Sequence, residues 1–158
     1  MSPSDLLRTA YALLSPAKSG RPTQASLRRA TSSAYYALFH CLARECADLL
    51  IGGSGSDRSD AAWRVVYRAL EHGPAKTKCR KREMTRKFPE EVRSFANAFA
   101  ELQEKRHSVD YDPFVQFTKS DASTDIATVE LAITAFKSAP VKDRRAFCAY
   151  TLFKDRND

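Results

Sequence analysis

Residues 28–40 read RRATSSAYYALFH, and they lie within the longest helical pattern of the chain. The pattern extends over about 22–50, and its apolar side chains recur three and four positions apart, as on a helix that buries one face. Pro22 can open this helix, because the N–H that proline lacks would be unpaired in the first turn anyway. A helix of about 29 residues spans about 43 Å. That length predicts a helical bundle in which this segment is the main helix.

Further helices are predicted on both sides of it, and no convincing strand alternation occurs in the sequence. Their ranges are about 3–14, 59–73, 89–112 and 123–137, with a turn at 18–22. A short segment after Pro140 is expected to dock through Phe147, Tyr150 and Phe153. The predicted fold class is all-α, an antiparallel four- or five-helix bundle. One domain covers 1–158, with a core at about 5–140, a basic loop at 74–88 and a C-terminal appendage at 140–158.

The composition predicts a soluble cytoplasmic protein. The chain has 158 residues, 43% of them hydrophobic, which suits one globular domain. No apolar run approaches the ~20 residues that cross a bilayer, and the N-terminus lacks a signal-peptide pattern, so we expect no membrane association. The four cysteines form no CxxC pair, and we expect no disulfide framework, metal or other cofactor. Residues 52–59, GGSGSDRS, are predicted to be a flexible linker, because they lack the Gly-Lys-Ser/Thr ending of a P-loop.

Positive charge is concentrated in one segment. The net charge is +7, and residues 76–87, KTKCRKREMTRK, hold seven Lys or Arg against one acid. We expect this segment to be mobile and to attract phosphates by counterion release. The predicted phosphate contacts are Lys78, Arg80, Lys81 and Arg82. The alternative is a solvated loop that only improves solubility, but its position just before the helix that carries Arg106 favours binding.

Two groups of polar residues lie on otherwise apolar helix faces. Arg106 continues the apolar seam of the 89–112 helix, and Asp110 follows one turn later as its obvious partner. An arginine stays charged in proteins, so at such a position it is paired or opens onto a cleft. On the main helix Tyr36 and His40 share a face, and Tyr35 lies on the neighbouring one. These residues can also have purely structural roles. Arg106 and Asp110 would then form an i,i+4 ion pair, the tyrosine hydroxyls would reach water, and His40 would bond to a group within the bundle.

Together the two segments resemble the HEPN family of small helical bundles. RRATSSAYYALFH is similar to the first family motif, in which an Arg/Ser-containing stretch leads into a Tyr-Tyr pair and an aromatic-His. RHSVDYDP, residues 106–113, is similar to the second motif, in the branch that reads Arg, three residues, Asp-Tyr-Asp. The likeness covers about residues 5–140. It implies a homodimer in which the arginine segment faces the tyrosine helix across a shared cleft.

The motif of the ribonucleolytic HEPN proteins is absent. Those proteins have an Arg separated from a His by four to six residues, and none of His40, His72 and His107 has an arginine at that spacing. Arg106 matches the family's arginine, but Asp110 and Tyr111 stand where the histidine would be expected. A carboxylate held by an arginine is a poor proton donor. The resemblance therefore favours binding over RNA cleavage.

Three functions remain open from the sequence. The first is a non-catalytic HEPN module that binds RNA, a nucleotide or a partner protein. The resemblance implies a toxin–antitoxin or antiviral defence setting, often beside a nucleotidyltransferase. Its predicted contact residues are Arg28, Arg29, Tyr35, Tyr36, Arg106, Tyr111 and the four basic residues given above. The second is a divergent metal-independent ribonuclease, and its predicted catalytic residues are Arg106, Asp110, His40 and His107. The third is a structural dimerisation bundle.

Overall fold

The computed structural model describes residues 1–15 and 20–156, and within these ranges the protein is all-α. The turn predicted at 18–22 falls partly outside the described residues. In chain order the helices are α1 (Pro3–Leu14), α2 (Gln24–Leu50), α3 (Asp60–Ala69), α4 (His72–Arg80), α5 (Arg82–Thr85), α6 (Glu90–Tyr111), α7 (Lys119–Ser138) and α8 (Val141–Leu152). None of these helices combines the length and the apolar character that crossing a membrane requires.

α2 is the central helix, and it contacts α1, α3, α6, α7 and α8. It runs antiparallel to α6, since Arg28 near the start of α2 bonds to Val109 near the end of α6, whereas the rings of Tyr35 and Phe99 meet further along. Small side chains allow these close approaches, because Ala30, Ala34 and Ala37 on α2 are fully buried. The main helix predicted from the sequence is confirmed. Its first residue is Gln24 and not Pro22, because the Thr23 hydroxyl accepts a hydrogen bond from the Ser26 N–H and caps the helix there.

α7 runs antiparallel to α6 and completes the bundle. Lys105 of α6 bonds to Asp125 of α7, and further along the pair the rings of Phe95 and Phe136 stack with centroids 4.5 Å apart. α1 packs on both α2 and α7. The predicted antiparallel bundle is therefore formed by α1, α2, α6 and α7, with α3, α4, α5 and α8 packed around it. The largest fully buried side chains of the described residues include Tyr35, Phe95, Phe99, Phe136, Phe147, Leu38, Leu42, Leu102 and Ile126.

The basic segment is not a loop. The range predicted as a loop, 74–88, is helical in α4 and α5, so that prediction is wrong. Gly73 and Pro74 lie in the first turn of α4, where proline is tolerated, and do not end a helix. Ala75 and Cys79, four residues apart, are buried and give α4 an inner face. The sequence prediction overlooked these two apolar positions at helical spacing, because charged residues surround them, and they pack the segment against the bundle.

The C-terminal segment is longer and more regular than predicted. It forms α8, in which Phe147 is fully buried and Tyr150 is half-buried. Phe153 is 60% exposed, so the prediction that it docks on the bundle is wrong. α4 and α8 exchange hydrogen bonds, because Lys78 Nζ donates to the Tyr150 carbonyl at 2.6 Å and the Tyr150 hydroxyl donates to the Lys78 carbonyl at 2.7 Å.

Candidate functional site

The face of α2 that carries Ser32, Tyr36 and His40 opens onto a groove of about 370 Å³. The groove lies between α1, α2 and the end of α6, and we call it the Tyr36 groove. It is lined by Met1, Leu6, Arg29, Ser32, Ser33, Tyr36, His40 and Asp110. The four-residue spacing brings the α2 side chains to one wall, as predicted. The volume lies within the range of small-ligand pockets, about 300–1,000 Å³.

Arg106 lies behind the wall of the Tyr36 groove and does not line it. Its Nη1 donates to the Tyr36 hydroxyl at 3.4 Å and to Asp110 Oδ2 at 3.5 Å. Its Nε donates to Gln103 Oε1 at 3.1 Å. The guanidinium also lies over the rings of Tyr35 and Tyr36, 5.2 and 5.6 Å from their centroids. The predicted Arg106–Asp110 pair is confirmed, and Arg106 supports two wall residues while 13% of its side chain is exposed.

Tyr35 lies in the core and offers no stacking face. Its side chain is 0% exposed, and burial raises the pKa of its hydroxyl. Nδ1 of His72 bonds to this hydroxyl at 2.5 Å. The prediction that Tyr35 contacts RNA therefore does not fit its position, because a base would have to displace the core to reach the ring. Of the two adjacent tyrosines, only Tyr36 reaches the groove.

His72 is a member of this polar cluster that the sequence did not reveal. Its ring stacks on Phe39 with centroids 3.9 Å apart, and it meets Tyr36 edge-on at 5.9 Å. Burial lowers the pKa of His72, and the charge of Arg106 lowers it further. The ring is therefore neutral near pH 7. The residue begins α4, and the Gly-Pro that follows it suggested a turn, so no periodic signal pointed to it.

His40 stands on the wall of the Tyr36 groove. Its Nδ1 bonds to the hydroxyl of Tyr67 on α3, and burial lowers the pKa of the ring, which is therefore neutral near pH 7. Nε2 forms no hydrogen bond with a described residue. It is open to solvent, because no fully buried side-chain nitrogen in the described part of the chain lacks a partner. In the tautomer whose Nδ1–H donates to Tyr67, Nε2 can accept a proton or a hydrogen bond from a ligand, and in the other tautomer Nε2–H donates one.

The two adjacent arginines of the first motif have different positions. Arg28 is bound to the protein's own backbone, and its guanidinium donates to the carbonyl oxygens of Val109, Asp112, Pro113 and Val115 at 2.5–3.4 Å. It thereby satisfies carbonyls that the end of α6 leaves without helical partners. The prediction that Arg28 binds phosphate is therefore not supported by its contacts. Arg29 is exposed and lines the Tyr36 groove.

The basic residues predicted to bind RNA lie on α4 and α5, away from the lining of the Tyr36 groove. Lys78 is held by carbonyls around the end of α8, at Tyr150 and Phe153. Arg80 forms an ion pair with Glu104 of α6. Lys81 and Arg82 are exposed and form no ion pair within the described ranges. Two of the four predicted contacts therefore have structural partners, and two are free to meet a ligand.

Tyr111 and His107 lie at the end of α6 outside the lining of the Tyr36 groove. Tyr111 is 69% exposed, and its ring lies 4.9 Å from that of His107, which is also exposed. The two rings follow Arg106 in sequence but do not join its cluster of hydrogen bonds. His40 and His72 are thus the histidines that flank Tyr36. His40 lies beside it on the groove wall, and His72 contacts it from the core side.

No family model matches the sequence, and neither the curated proteins nor the solved structures give a match. The resemblance to HEPN proteins remains a prediction that rests on two motifs. Within the described residues no group of three or more His, Cys, Asp or Glu side chains is placed to hold a metal ion. The four cysteines are buried free thiols, at Cys41, Cys46, Cys79 and Cys148.

Proposed function

We propose that the protein is a non-catalytic HEPN-like module whose Tyr36 groove binds a nucleotide unit of single-stranded RNA. The observation that carries the proposal is the combination of side chains on one small groove: the guanidinium of Arg29, the ring of Tyr36, the hydroxyls of Ser32 and Ser33 and the carboxylate of Asp110. Arginine suits phosphate, an aromatic face suits a base, and hydroxyl and carboxylate oxygens suit ribose hydroxyls.

Arg106 has a supporting role in this proposal. It donates to Tyr36 and to Asp110, and so it fixes the orientation of two groups that would meet the ligand. Its guanidinium does not contact the phosphate directly, but it lies close enough to Tyr36 to make the electrostatic potential of the groove more positive. Removing Arg106 would therefore weaken binding indirectly, by releasing the wall of the groove.

Fluorescence anisotropy tests this proposal with a labelled single-stranded RNA of about 12 nucleotides at about 50 mM salt. We expect Tyr36→Ala to weaken binding by about tenfold or more, since a stacked base contributes about 1–3 kcal/mol. Tyr11→Ala is the matched control, because it removes an exposed tyrosine of α1 that does not line the groove. DNA of the same sequence should bind less tightly, since it lacks the 2′-hydroxyl. Equal losses for the two variants, or no RNA binding, would show that the groove has another role.

Arg29→Gln provides a second test of the same groove, with Arg64→Gln as its control. Both arginines are exposed, and Arg64 lies on α3 outside the groove lining. If Arg29 binds a backbone phosphate, its loss should lower the slope of log affinity against log salt by about 0.7, as expected for one contact with a single strand. Arg64→Gln should leave the slope unchanged.

A divergent metal-independent ribonuclease is the second candidate, and one observation favours it. His40 is neutral near pH 7 and has a free ring nitrogen on the groove wall. Such a nitrogen can accept the proton of a 2′-hydroxyl, which is the first requirement of RNA cleavage without a metal. The charge of Arg106 and the neighbouring Tyr36 would then stabilise the phosphorane. His72 approaches Tyr36 only from the core side and would act through it.

We further propose that the protein forms a homodimer, as the HEPN resemblance implies. Side chains beside the Tyr36 groove and on the loop after α6 are exposed, and Met1 and Phe114 are 74% and 88% exposed. A partner chain packed against this end of α2 and α6 would cover them and form the second wall of a cleft that includes the groove. The same resemblance suggests a toxin–antitoxin or antiviral setting with a nucleotidyltransferase-type partner. A purely structural dimerisation bundle would dimerise equally well but would not bind RNA.

A further inference from the structure

A second cavity, lined by Arg82, Thr85, Arg86, Arg93 and Asn97, lies where α5 meets the start of α6. Its volume is about 420 Å³, similar to that of the Tyr36 groove. Arg82 and Arg86 are four residues apart, as are Arg93 and Asn97, so each pair shares one helical face. Two ridges of polar side chains therefore face each other across the cavity. The nearly buried Thr85 of α5, 6% exposed, completes the lining.

The three guanidiniums of this cavity lack counter-ions. None of them forms an ion pair or a side-chain hydrogen bond with any residue in 1–15 or 20–156. The neighbouring acids in sequence, Glu83 and Glu90, do not line the cavity. Like charges four residues apart destabilise a helix, so the arrangement has no benefit for stability. A bound anion would relieve this repulsion.

The cavity is separate from the Tyr36 groove. Arg93 precedes Arg106 on α6 by 13 residues, which is about 20 Å along the helix axis. The two residues also project from different sides of α6, since 13 residues are about 3.6 turns. An anion at the second cavity is therefore not the ligand of the Tyr36 groove, and the inference below does not depend on the function proposed for that groove.

We infer that this cavity is a phosphate-binding site, in which Arg82, Arg86 and Arg93 hold a phosphate group and Asn97 donates an amide hydrogen bond. Planar guanidiniums match phosphate oxygens in pairs, and three of them suit two adjacent phosphates or one diphosphate. The phosphate can come from the backbone of an RNA or from a small phosphate ester. Two free cations of the basic segment, Arg82 and Arg86, thus face a defined cavity together with Arg93 of α6.

Isothermal titration with inorganic pyrophosphate at about 50 mM salt tests the site directly. We expect R86Q/R93Q to weaken binding by about tenfold or more. R64Q/R68Q is the matched control, because it also removes two exposed arginines, both on α3, where they line none of the cavities described. The control should bind pyrophosphate within about twofold of the wild-type affinity. R86K/R93K keeps the charge but loses the paired geometry, and it should fall between the two.

A single-stranded RNA of about 12 nucleotides distinguishes the two sources of phosphate. If the source is a polynucleotide, the RNA binds more tightly than pyrophosphate, and R86Q/R93Q lowers the salt slope of its binding by about 1.4, as expected for two contacts. If the source is a small phosphate ester, pyrophosphate binds more tightly and R86Q/R93Q leaves RNA affinity unchanged. The inference is overturned if pyrophosphate does not bind at low salt, or if R64Q/R68Q weakens its binding as much as R86Q/R93Q does.

Discussion

The hydroxyl of Tyr35, on the fully buried face of α2, meets Nδ1 of His72 at the start of α4, 2.5 Å away. This contact joins residues 37 positions apart and secures the segment that the sequence suggested was a loop. It also places a titratable ring beside the core, and protonating that ring is costly because burial disfavours its charged form and lowers its pKa.

The first prediction is that the protein becomes less stable as pH falls below about 6.5. Burial lowers the folded-state pKa of His72 and of His40 below the ordinary value of 6.5. As pH falls through 6.5, the unfolded chain therefore binds more protons than the folded one, and the free energy of unfolding decreases. This stabilisation is fully present above about pH 7.5. Urea unfolding at about pH 7.5 and pH 5.5 measures the difference.

His72→Gln should reduce this pH dependence, because glutamine can still bond to Tyr35 but does not titrate. His107→Gln is the control, since His107 is exposed and its loss should leave the dependence unchanged. Asp125 acts in the opposite direction, because burial raises its pKa, so the comparison between variants is more informative than the wild-type curve alone. If His72→Gln loses as much stability on acidification as the wild type, His72 is not the group responsible.

A second prediction concerns the adjacent arginines. Arg28→Ala should lower the free energy of unfolding by about 2 kcal/mol, because it removes charge-assisted hydrogen bonds to carbonyls at the end of α6 and on the loop after it. Arg29→Ala should change it by less than about 0.5 kcal/mol, since Arg29 is exposed. Chemical denaturation of both variants measures this contrast. Equal stability of the two would mean that the Arg28 contacts contribute nothing net.

This contrast shows which part of the site the sequence could predict. Tyr36, His40 and Asp110 were identified because helical spacing decides which residues share a face. The role of Arg28 was not identified, because its partners are backbone oxygens more than 80 positions away, at the end of α6 and on the loop after it. His72 was missed for the same reason, since only the packing of α4 against α2 brings it to Tyr35.

The fold was predictable to a similar degree. Long apolar periodicities predicted α1, α2, α6 and α7, because the amphipathic face of each of these helices can be recognised from its own segment of sequence. The helical character of 74–88 was not evident, because only Ala75, Cys79 and Thr85 are buried among many charges. Local charge density suggested a loop, but the tertiary contacts of a few small residues decide the structure there.

The third prediction concerns Lys105 and Asp125. Lys105 Nζ donates to Asp125 Oδ1 at 2.6 Å, and Asp125 is 1% exposed, with Thr31 as its other partner. Lys105→Met should lower the free energy of unfolding by about 2–3 kcal/mol, because it leaves a buried carboxylate with one neutral partner. Lys105 is partly exposed, so the loss stays below that of a fully buried ion pair. The double variant K105M/D125N should recover part of this loss. Glu101→Gln, which removes only the exposed partner of Lys105, should cost less than about 0.5 kcal/mol.

The fourth prediction concerns assembly. The protein should elute as a dimer in size-exclusion chromatography with light scattering, at protein concentrations of tens of micromolar. Phe114→Ser should shift it toward monomer, because Phe114 is 88% exposed beside the proposed interface. Val65→Ser is the control, since Val65 is 69% exposed on α3, away from that end of the bundle. A wild-type monomer would contradict the proposed homodimer.

The last prediction separates a binding module from an enzyme. Purified protein is incubated with labelled RNA in the presence of a metal chelator, and we expect the RNA to remain intact, because the histidine of the ribonuclease motif is absent. His40→Gln should then bind RNA nearly as well as the wild type. If the wild type instead cleaves RNA, and folded His40→Gln is slower by about 10²-fold or more while His107→Gln is not, then His40 is a general base and the protein is a ribonuclease. In that case the cleavage rate should fall only below about pH 6.5, because burial lowers the pKa of His40 and keeps the ring neutral above it.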